Sequence, residues 1–351
     1  MAYVQTQFEQ FHNAIRLGRF DENQTLREKR DIIRDILQER LPSVFEKHGE
    51  VCPQFYFRDQ GSYDMDMGIK PLDGDYDIDQ GQYFLVGIDA YPDPVVLKER
   101  VYEALVGHTN DVRIRRSCVT VFYQRQHESI YHVDVAVYSD GSQNPDGKAR
   151  LAKGKQNSAV VYRVWEVSDP QGLAASMCER FQGHDRAQFR RIVRYFKRWK
   201  AVNFPLDGNA APLGIGLTVA TYDHLQPTYT DALAAKPDDL GALRPLVRAL
   251  LHRFQLIWDE TVQQWVHRLR VTLPVEPWND LFAKMTNKQM VVLEERLQML
   301  LAALDAAAEA VDPIDACTTL HTVFGDDFPI PTKEATARRH IRAIVSSSHS
   351  A

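Results

Sequence analysis

The sequence predicts an α+β fold, in which a mixed β-sheet is followed by a mostly helical C-terminal half. Short β-rich runs separated by turn residues fill the region from about residue 53 to 167, and helical spacing of apolar residues dominates after residue 168. Of the 351 residues, 44% are hydrophobic and 25% are charged, which is typical of globular proteins. The chain is therefore long enough to form two lobes, each with its own core.

Each predicted element follows from a local pattern. Residues 8–47 have apolar positions such as Ile33 and Leu37 at helical spacing, which predicts a long N-terminal helix. Strands are predicted from alternating or β-branched runs at 53–59, 76–86, 111–115, 117–123, 130–138 and 159–167. Helices are predicted from Pro94, from Ser168-Asp169-Pro170 and over the alanine-rich run 301–310.

The composition also excludes several classes of protein. No apolar run approaches the ~18 residues of a membrane-spanning helix, and the N-terminus lacks the basic and apolar regions of a signal peptide. The four cysteines lie far apart and form no C-x-x-C motif, which excludes a zinc ribbon of close pairs and a disulfide framework. We therefore expect a soluble, cytoplasmic protein with no membrane partner.

Charge is concentrated in two segments of opposite sign. Residues 59–79 contain seven aspartates and one lysine, whereas residues 186–200 contain seven basic side chains. An acidic cluster apart from a basic one suits a site that binds both metal ions and a polyphosphate. The alternative is two solvated faces, which is the usual place for runs of charge.

Three aspartates are the candidate metal ligands. Asp77 and Asp79 are two residues apart on a predicted strand, so their side chains lie on one face. Asp134 stands between Val133 and Val135 on a later strand, which places it on the face opposite the valines. If the two strands are neighbours, the carboxylates converge and favour two Mg²⁺ or Mn²⁺ ions. The alternative is a solvent-facing strand.

A Gly-Ser turn precedes these aspartates by about 15 residues. Gly61 lets the backbone approach a phosphate closely, and Ser62 adds a hydroxyl at the start of a helix. A rival acidic pair, Asp64 and Asp66, follows at once, but two-residue spacing on a helix would splay the side chains apart. Asp75 shares the strand face of the candidate ligands, and we expect it to support them.

The basic segment predicts an amphipathic helix. Its apolar stripe consists of Phe189, Ile192, Val193, Phe196 and Trp199. Arg194 and Lys197 lie beside the stripe and, being three residues apart, can point into one cleft and bind a triphosphate. The alternative is that the basic side is simply solvated.

Together these motifs resemble the polymerase-β-like nucleotidyltransferase superfamily. The motifs are Gly61-Ser62, then Asp77-Ile78-Asp79, then Asp134. The segment Ser168-Asp169-Pro170 and the helical R-x-x-K at 194–197 look like the bacterial cyclic-oligonucleotide synthases, the cGAS/DncV-like nucleotidyltransferases or CD-NTases. The sequence is most similar to the branch that is associated with HORMA-domain proteins and TRIP13-like ATPases and makes cyclic trinucleotides.

The resemblance implies a role for each of these positions. Asp77 and Asp79 would bind both metal ions, while Asp134 would bind the ion that activates the attacking 3′-hydroxyl and would help remove its proton. The phosphate-binding residues would be Gly61, Ser62, Arg194 and Lys197. These relatives also have a serine or glutamine followed by an aromatic residue after the lysine. This chain has Leu213-Gly214 there, and Thr218 or Tyr222 would have to substitute.

The resemblance also implies a domain plan and an activity. Residues 1–50 would be helices bridging the lobes, 51–167 the catalytic core, 168–345 an α-helical domain and 346–351 a flexible tail. The expected reaction joins ATP into a cyclic oligonucleotide, cyclic tri-AMP being the first choice, in antiphage signalling. Expected partners are nucleoside triphosphates, a HORMA-domain regulator, a TRIP13-like ATPase and activating double-stranded DNA. Alternatives are nucleotide transfer to RNA or protein, synthesis of linear oligoadenylate, and a non-catalytic binding module.

Overall fold

A computed structural model describes residues 2–17, 22–125, 128–204 and 211–333. The helices are α1 (Gln5–Ile15), α2 (Glu22–Lys47), α3 (Gly61–Asp64), α4 (Val95–Leu105), α5 (Pro170–Glu179), α6 (Gly183–Asn203), α7 (Gly214–His224), α8 (Asp239–His252), α9 (Asn287–Glu309) and α10 (Pro313–Phe324). The strands are β1 (Phe55–Gln60), β2 (Tyr76–Phe84), β3 (Asp111–Ile114), β4 (Val119–Arg125), β5 (Glu128–Ser139), β6 (Arg150–Lys153), β7 (Val164–Val167), β8 (Tyr229–Asp231), β9 (Lys236–Pro237), β10 (Gln255–Asp259) and β11 (Gln264–Arg268). The predicted α+β fold is confirmed.

The chain divides into two compact units. The sheet unit comprises Arg16–Gln182 and Thr272–Asp280, and the helical unit comprises Met1–Ile15, Gly183–Val271 and Leu281–Ala351. These bounds differ from the predicted segments, because α5 groups with the sheet and a short later segment returns to it. The predicted tail at 346–351 lies outside the described residues. No helix in the described ranges is long and apolar enough to cross a bilayer.

The predicted N-terminal helix is divided between the two units. Helix α1 ends at Ile15 and belongs to the helical unit, whereas α2 belongs to the sheet unit. Beyond Ile15 the backbone is extended: Arg16 forms a β-bridge with Ile69, and the Leu17 amide donates to the Gly68 carbonyl at 3.4 Å. The prediction of one continuous helix over 8–47 was wrong, because pairing with a distant segment ends α1.

The central sheet has the strand order β1-β2-β5-β4-β3, with β6 beside β5 and β7 beside β6. Strands β2 and β5 are parallel, and the other neighbours are antiparallel. One face buries alternate residues of β4 and β5 against α2 and α4. These residues are Val119, Val121, Val133, Val135 and Val137, all 0% exposed. The opposite face is therefore left for the polar residues between them.

The segment predicted as one strand over 159–167 contains two elements. A 3₁₀ turn occupies Val160–Tyr162, and only Val164–Val167 forms a strand. The Arg163 side chain stabilises the turn, since its Nε donates to the Ser158 carbonyl at 2.9 Å. The partner strand β6 was not predicted, because its four residues carry no clear alternation.

A buried lysine anchors the turn between β3 and β4. Lys98 is 0% exposed, and its Nζ donates to the carbonyls of Arg115, Arg116 and Gly154 at 2.5, 3.0 and 2.7 Å. Burial lowers the pKa of Lys98 to about 8. This side chain thus joins α4 to two loops of the sheet unit and satisfies three buried carbonyls.

We expect Lys98→Met to reduce the free energy of unfolding by about 2–3 kcal/mol at pH 8, because three carbonyls lose their donor. The folded protein releases the Lys98 proton near pH 8, whereas the unfolded chain keeps it up to about pH 10.5. The stability of the wild type should therefore rise relative to that of the variant between these two pH values. Urea unfolding of both proteins at pH 8 and 10 measures the difference between their free energies of unfolding. A difference that is smaller at pH 10 than at pH 8 would contradict the lowered pKa of Lys98.

The helical unit is organised around a buried aspartate. The carboxylate of Asp239, which is 0% exposed, accepts hydrogen bonds from Gln188 at 3.0 Å, from Arg191 at 2.7 and 2.8 Å and from Tyr195 at 3.0 Å. Its backbone amide donates to Gln5 Oε1 at 2.8 Å. These bonds join α1, α6 and α8, and each polar partner compensates the burial of the others.

Candidate active site

The three predicted carboxylates lie on the sheet face opposite the valine core. The register of the parallel pair places Asp79 directly opposite Asp134 and Asp77 opposite His132. Adjacent strands are about 4.8 Å apart, so Asp79 and Asp134 are side by side. Asp77 is exposed, and the other two aspartates are half-buried. The condition for convergence, that the two strands are neighbours, is therefore met.

The donor set of this cluster suits a hard divalent cation, because every candidate ligand is a carboxylate oxygen. Within the described ranges, no three His, Cys, Asp or Glu side chains are grouped closely enough to bind one ion. The backbone register brings the three positions onto neighbouring strands, but the side chains are not grouped as a binding site, so the assignment of Asp77, Asp79 and Asp134 as metal ligands stays a prediction.

Gly61 packs directly against this cluster. Its φ is +71°, a left-handed conformation that favours glycine, and a Cβ at this position would lie 2.0 Å from Asp79 Oδ2. Gly61 begins α3, and the half-buried Ser62 follows it. The glycine thus creates the space that the Asp79 carboxylate occupies. The Gly-Ser turn, which the sequence places about 15 residues before the aspartates, therefore lies against one of them.

The residue before the glycine is anchored to a stack of tyrosines. Gln60 is 7% exposed, and its Nε2 donates to the Tyr83 hydroxyl at 3.0 Å while its Oε1 accepts from Tyr138 at 3.3 Å. The rings of Tyr83 and Tyr138 stack at 4.5 Å, and Tyr56 stacks on Tyr83 at 5.2 Å. Gly81 leaves room for the amide, since a Cβ there would lie 2.2 Å from Gln60 Nε2. Sequence reasoning missed this anchor.

Part of the acidic segment forms ion pairs within the fold. Asp59 accepts hydrogen bonds from Arg30 at 2.9 Å and from Arg34 at 2.5 Å, which connect the end of β1 to α2. Burial and the nearby charge of Asp59 raise the pKa of the Asp64 carboxyl. Asp66 has a φ of +52° just beyond α3. The seven aspartates therefore do not form one ligand cluster.

Asp75 pairs with a histidine beside the candidate ligands. Its Oδ1 lies 3.1 Å from His132 Nδ1, and the backbone of His132 is in register with Asp77. This contact connects the segment before β2 to β5, next to the carboxylates. The expected supporting role of Asp75 stays a prediction, and the pairing is its physical basis.

A threonine that the sequence analysis did not single out contacts the third aspartate. Thr120 on β4 is opposite Asp134 in the antiparallel register, and its hydroxyl donates to Asp134 Oδ1 at 2.5 Å. Cys118 Sγ lies 3.5 Å from the same hydroxyl. Burial and the Asp134 charge raise the pKa of the Cys118 thiol to about 11, so the group stays protonated at neutral pH. The alternation of β4 could have placed Thr120 on the aspartate face, but only the register identifies its partner.

The predicted triphosphate-binding residues lie on α6 in the helical unit. The apolar stripe is confirmed, since its five members are at most 1% exposed. Arg194 is only 3% exposed, so its side chain is more buried than expected for the basic side of an amphipathic helix. Lys197 is half-buried. Their binding roles stay predictions.

The substitutes predicted on α7 have different surroundings. Thr218 is 1% exposed and its hydroxyl donates to the Gly214 carbonyl at 3.1 Å, so the hydroxyl has a partner within the helix, and the predicted role of Thr218 stays a prediction. Tyr222 is half-buried and stays a candidate. Leu213, which replaces the expected polar residue, is 54% exposed just before the helix.

A cavity of about 410 Å³ opens on the same sheet unit at the tyrosine stack. Tyr56 and Tyr83 form part of its wall, together with Asp140, Lys148 and Ser168. Tyr83 is four residues beyond Asp79 on β2, which corresponds to about 13 Å along the strand. The cavity is thus within the same unit as the carboxylates and offers both aromatic and polar contacts.

Residues 55–138 match the family described as "Cyclic GMP-AMP synthase DncV-like, nucleotidyltransferase domain". This segment is a DncV-like nucleotidyltransferase domain. It contains Gly61, Ser62 and all three candidate carboxylates, so the prediction of a nucleotidyltransferase is confirmed for this domain. The "Cyclic GMP-AMP synthase" of Escherichia albertii is 26% identical over 208 residues, which are 56% of this chain. The alignment covers only 42% of that relative's length.

Solved structures resemble this chain beyond the DncV-like domain. The Vibrio cholerae DncV cyclic AMP-GMP synthase, described as a prokaryotic cGAS homolog, has a TM-score of 0.64 at 19% identity and covers 92% of this chain and 97% of its own. Its complex with the linear intermediate 5′ pppA(3′,5′)pG has a TM-score of 0.62 at 18% identity, covering 92% of this chain and 96% of its own. These similarities confirm the fold.

Proposed function

We propose that this protein joins nucleoside triphosphates, ATP among them, into a cyclic oligonucleotide and releases pyrophosphate. The observation that carries the proposal is the position of Asp79, which lies beside Asp134 and against Gly61 in a nucleotidyltransferase domain. A carboxylate cluster next to a glycine turn is suited to transfer a nucleotidyl group by positioning and electrostatic stabilisation.

In this reaction a 3′-hydroxyl attacks the α-phosphorus of a second nucleotide, and the bond to pyrophosphate breaks. Asp134 accepts the proton of the attacking hydroxyl, and Gly61 and Ser62 hold the β and γ phosphates. Asp77, Asp79 and Asp134 would hold two Mg²⁺ or Mn²⁺ ions, which supply positive charge to the attacking and leaving oxygens. Repetition of the transfer, with the last 3′-hydroxyl attacking the first nucleotide, closes the ring.

The cavity at the tyrosine stack is our candidate for the base of the donor nucleotide. Tyr56 offers an aromatic surface, and Ser168 offers a hydroxyl at the wall. The cavity lies along β2 from Asp79, so a nucleotide with its phosphates at the carboxylates could extend toward it. This placement gives a base-contacting site in the sheet unit, whereas Leu213-Gly214 in the helical unit lacks the expected pair.

For the product we propose cyclic tri-AMP, acting in antiphage signalling. This choice, the regulation by a HORMA-domain protein and a TRIP13-like ATPase, and activation by double-stranded DNA depend on the resemblance to one bacterial branch. Among the relatives, the Escherichia albertii protein is named for cyclic GMP-AMP, and a Vibrio cholerae complex contains an A–G linear intermediate. Cyclic dinucleotides are therefore the first competing products to test.

The decisive test is product analysis by mass spectrometry. The purified protein is incubated with all four ribonucleoside triphosphates and Mg²⁺ or Mn²⁺, with and without double-stranded DNA, and then treated with phosphatase. A phosphatase-resistant product with the mass of a cyclic di- or trinucleotide supports the proposal and identifies the bases. A linear oligoadenylate, or label transferred only to added RNA or protein, would replace it with the corresponding alternative reaction.

The basic helix provides a separate prediction. We expect Lys197→Ala to weaken binding of a nonhydrolysable ATP analogue by about tenfold while slowing turnover at saturation much less, because the ammonium binds the triphosphate in the ground state. Isothermal titration and a KM–kcat comparison measure the two effects. Lys288→Ala on α9 is the control, since it removes a lysine elsewhere in the helical unit. Unchanged affinity would exclude Lys197 from the site.

A further inference from the structure

The hydrogen bond between Thr120 and Asp134 has a geometry suited to more than packing. Thr120 is 0% exposed, and its hydroxyl is 2.5 Å from Asp134 Oδ1. An ionised carboxylate only accepts hydrogen bonds, so the threonine must donate its proton to Oδ1. A charge-assisted bond of this length is among the stronger hydrogen bonds of proteins.

We propose that Thr120 is the positioning residue of Asp134, an inference that builds on the proposed function. The hydroxyl holds Oδ1 and fixes the carboxylate, so that the second oxygen, Oδ2, is presented to the attacking 3′-hydroxyl and to a cation. Hydrogen bonds from outer residues orient ligand carboxylates in metal sites, and their loss costs about 10–100-fold in metal affinity or activity.

Cys118 lies beside this hydrogen bond. Its Sγ is 3.5 Å from Thr120 Oγ1. Because the threonine hydroxyl donates its one proton to Asp134, it can only accept in its contact with Cys118. The three groups therefore form a chain from Cys118, just before β4, through Thr120 on β4 to Asp134 on β5.

Backbone register makes the threonine a rigid support. Thr120 and Asp134 are paired residues of the antiparallel β4–β5 ladder, and Asp134 is paired with Asp79 on its other side. Thr120 has a β-branched side chain with few rotamers, and it is fully buried. A small rotation of the Asp134 carboxylate would break the hydrogen bond from Thr120, so this bond opposes the rotation.

The test compares Thr120→Val, which keeps the shape and removes the hydroxyl, with Thr120→Ser, which keeps the hydroxyl. Thr221→Val is the matched control, because Thr221 is equally buried and its hydroxyl donates only to the Leu217 carbonyl within α7. Each protein is titrated with Mn²⁺ in the presence of a nonhydrolysable ATP analogue, and free Mn²⁺ is followed by electron paramagnetic resonance. Turnover is measured in parallel.

We expect Thr120→Val to bind Mn²⁺ about 10–100-fold more weakly and to lower kcat by a similar factor, with little change in KM for ATP. Thr120→Ser should keep most of the wild-type Mn²⁺ affinity and kcat, and Thr221→Val should match the wild type in both. Mn²⁺ affinity and kcat of Thr120→Val equal to the control would overturn the proposal. The Mn²⁺ titration needs no turnover, so this inference is decided separately from the proposed function, even where the wild type forms no product.

Discussion

Replacing either Asp77 or Asp79 with alanine is expected to reduce product formation by at least about 10²–10³-fold, because each change removes a carboxylate that would hold the cations at the point where the nucleotidyl group is transferred. Folding should remain intact, since loss of one carboxylate relieves its repulsion with the neighbouring acids. Product quantification by mass spectrometry and the melting temperature of each purified variant are the two measurements.

Asp89→Ala is the control for these variants, because it removes an exposed aspartate of the same sheet unit that lies outside the acidic segment. It should retain wild-type product formation, which would separate a local role from a general effect of negative charge. Near-normal turnover of Asp77→Ala or Asp79→Ala, at an unchanged melting temperature, would refute the two-ion assignment.

Gly61→Ala is expected to reduce turnover by about 10²-fold or more, although it adds only one methyl group. The new Cβ would lie 2.0 Å from Asp79 Oδ2, so the carboxylate or the turn must move. A displacement of about 1 Å in a catalytic group can cost about 10²-fold in rate. The left-handed φ of +71° adds about 1–2 kcal/mol of backbone strain.

Gly49→Ala separates the two effects of the methyl group. Gly49 has a φ of +70°, but nothing lies within 4 Å of a Cβ there, so only the backbone strain remains. We expect this control to lose stability to a similar extent and to keep its activity. If both glycine variants were equally active, the close approach of Gly61 to Asp79 would have no catalytic role.

The sequence was most informative where a pattern repeats within a single element. Alternation along β5 placed Asp134 opposite the valine core, and two-residue spacing placed Asp77 and Asp79 on one face. Both expectations depend only on the strand period, which is local. The α+β organisation followed in the same way from strand runs that precede helical runs.

Features that depend on distant partners could not be predicted in this way. The bond between Thr120 and Asp134 depends on the register of two strands, and a one-residue shift would put the threonine on the other face. The ion pairs of Asp59 with Arg30 and Arg34 likewise join residues 25 to 29 positions apart. The burial of Arg194 could not be predicted for the same reason. The helical period identifies the face on which Arg194 lies, but it does not identify the distant residues that pack on that face.

The tyrosine stack has a consequence for how substrates would be told apart. Tyr83 lines the cavity and accepts the bond from Gln60, and Gln60 directly precedes Gly61, which packs on Asp79. A poorly fitting base that tilts Tyr83 would therefore misplace a carboxylate about 13 Å away. Selectivity would then be expressed in the rate of bond formation more than in affinity, so that incorrect nucleotides bind and leave without being incorporated.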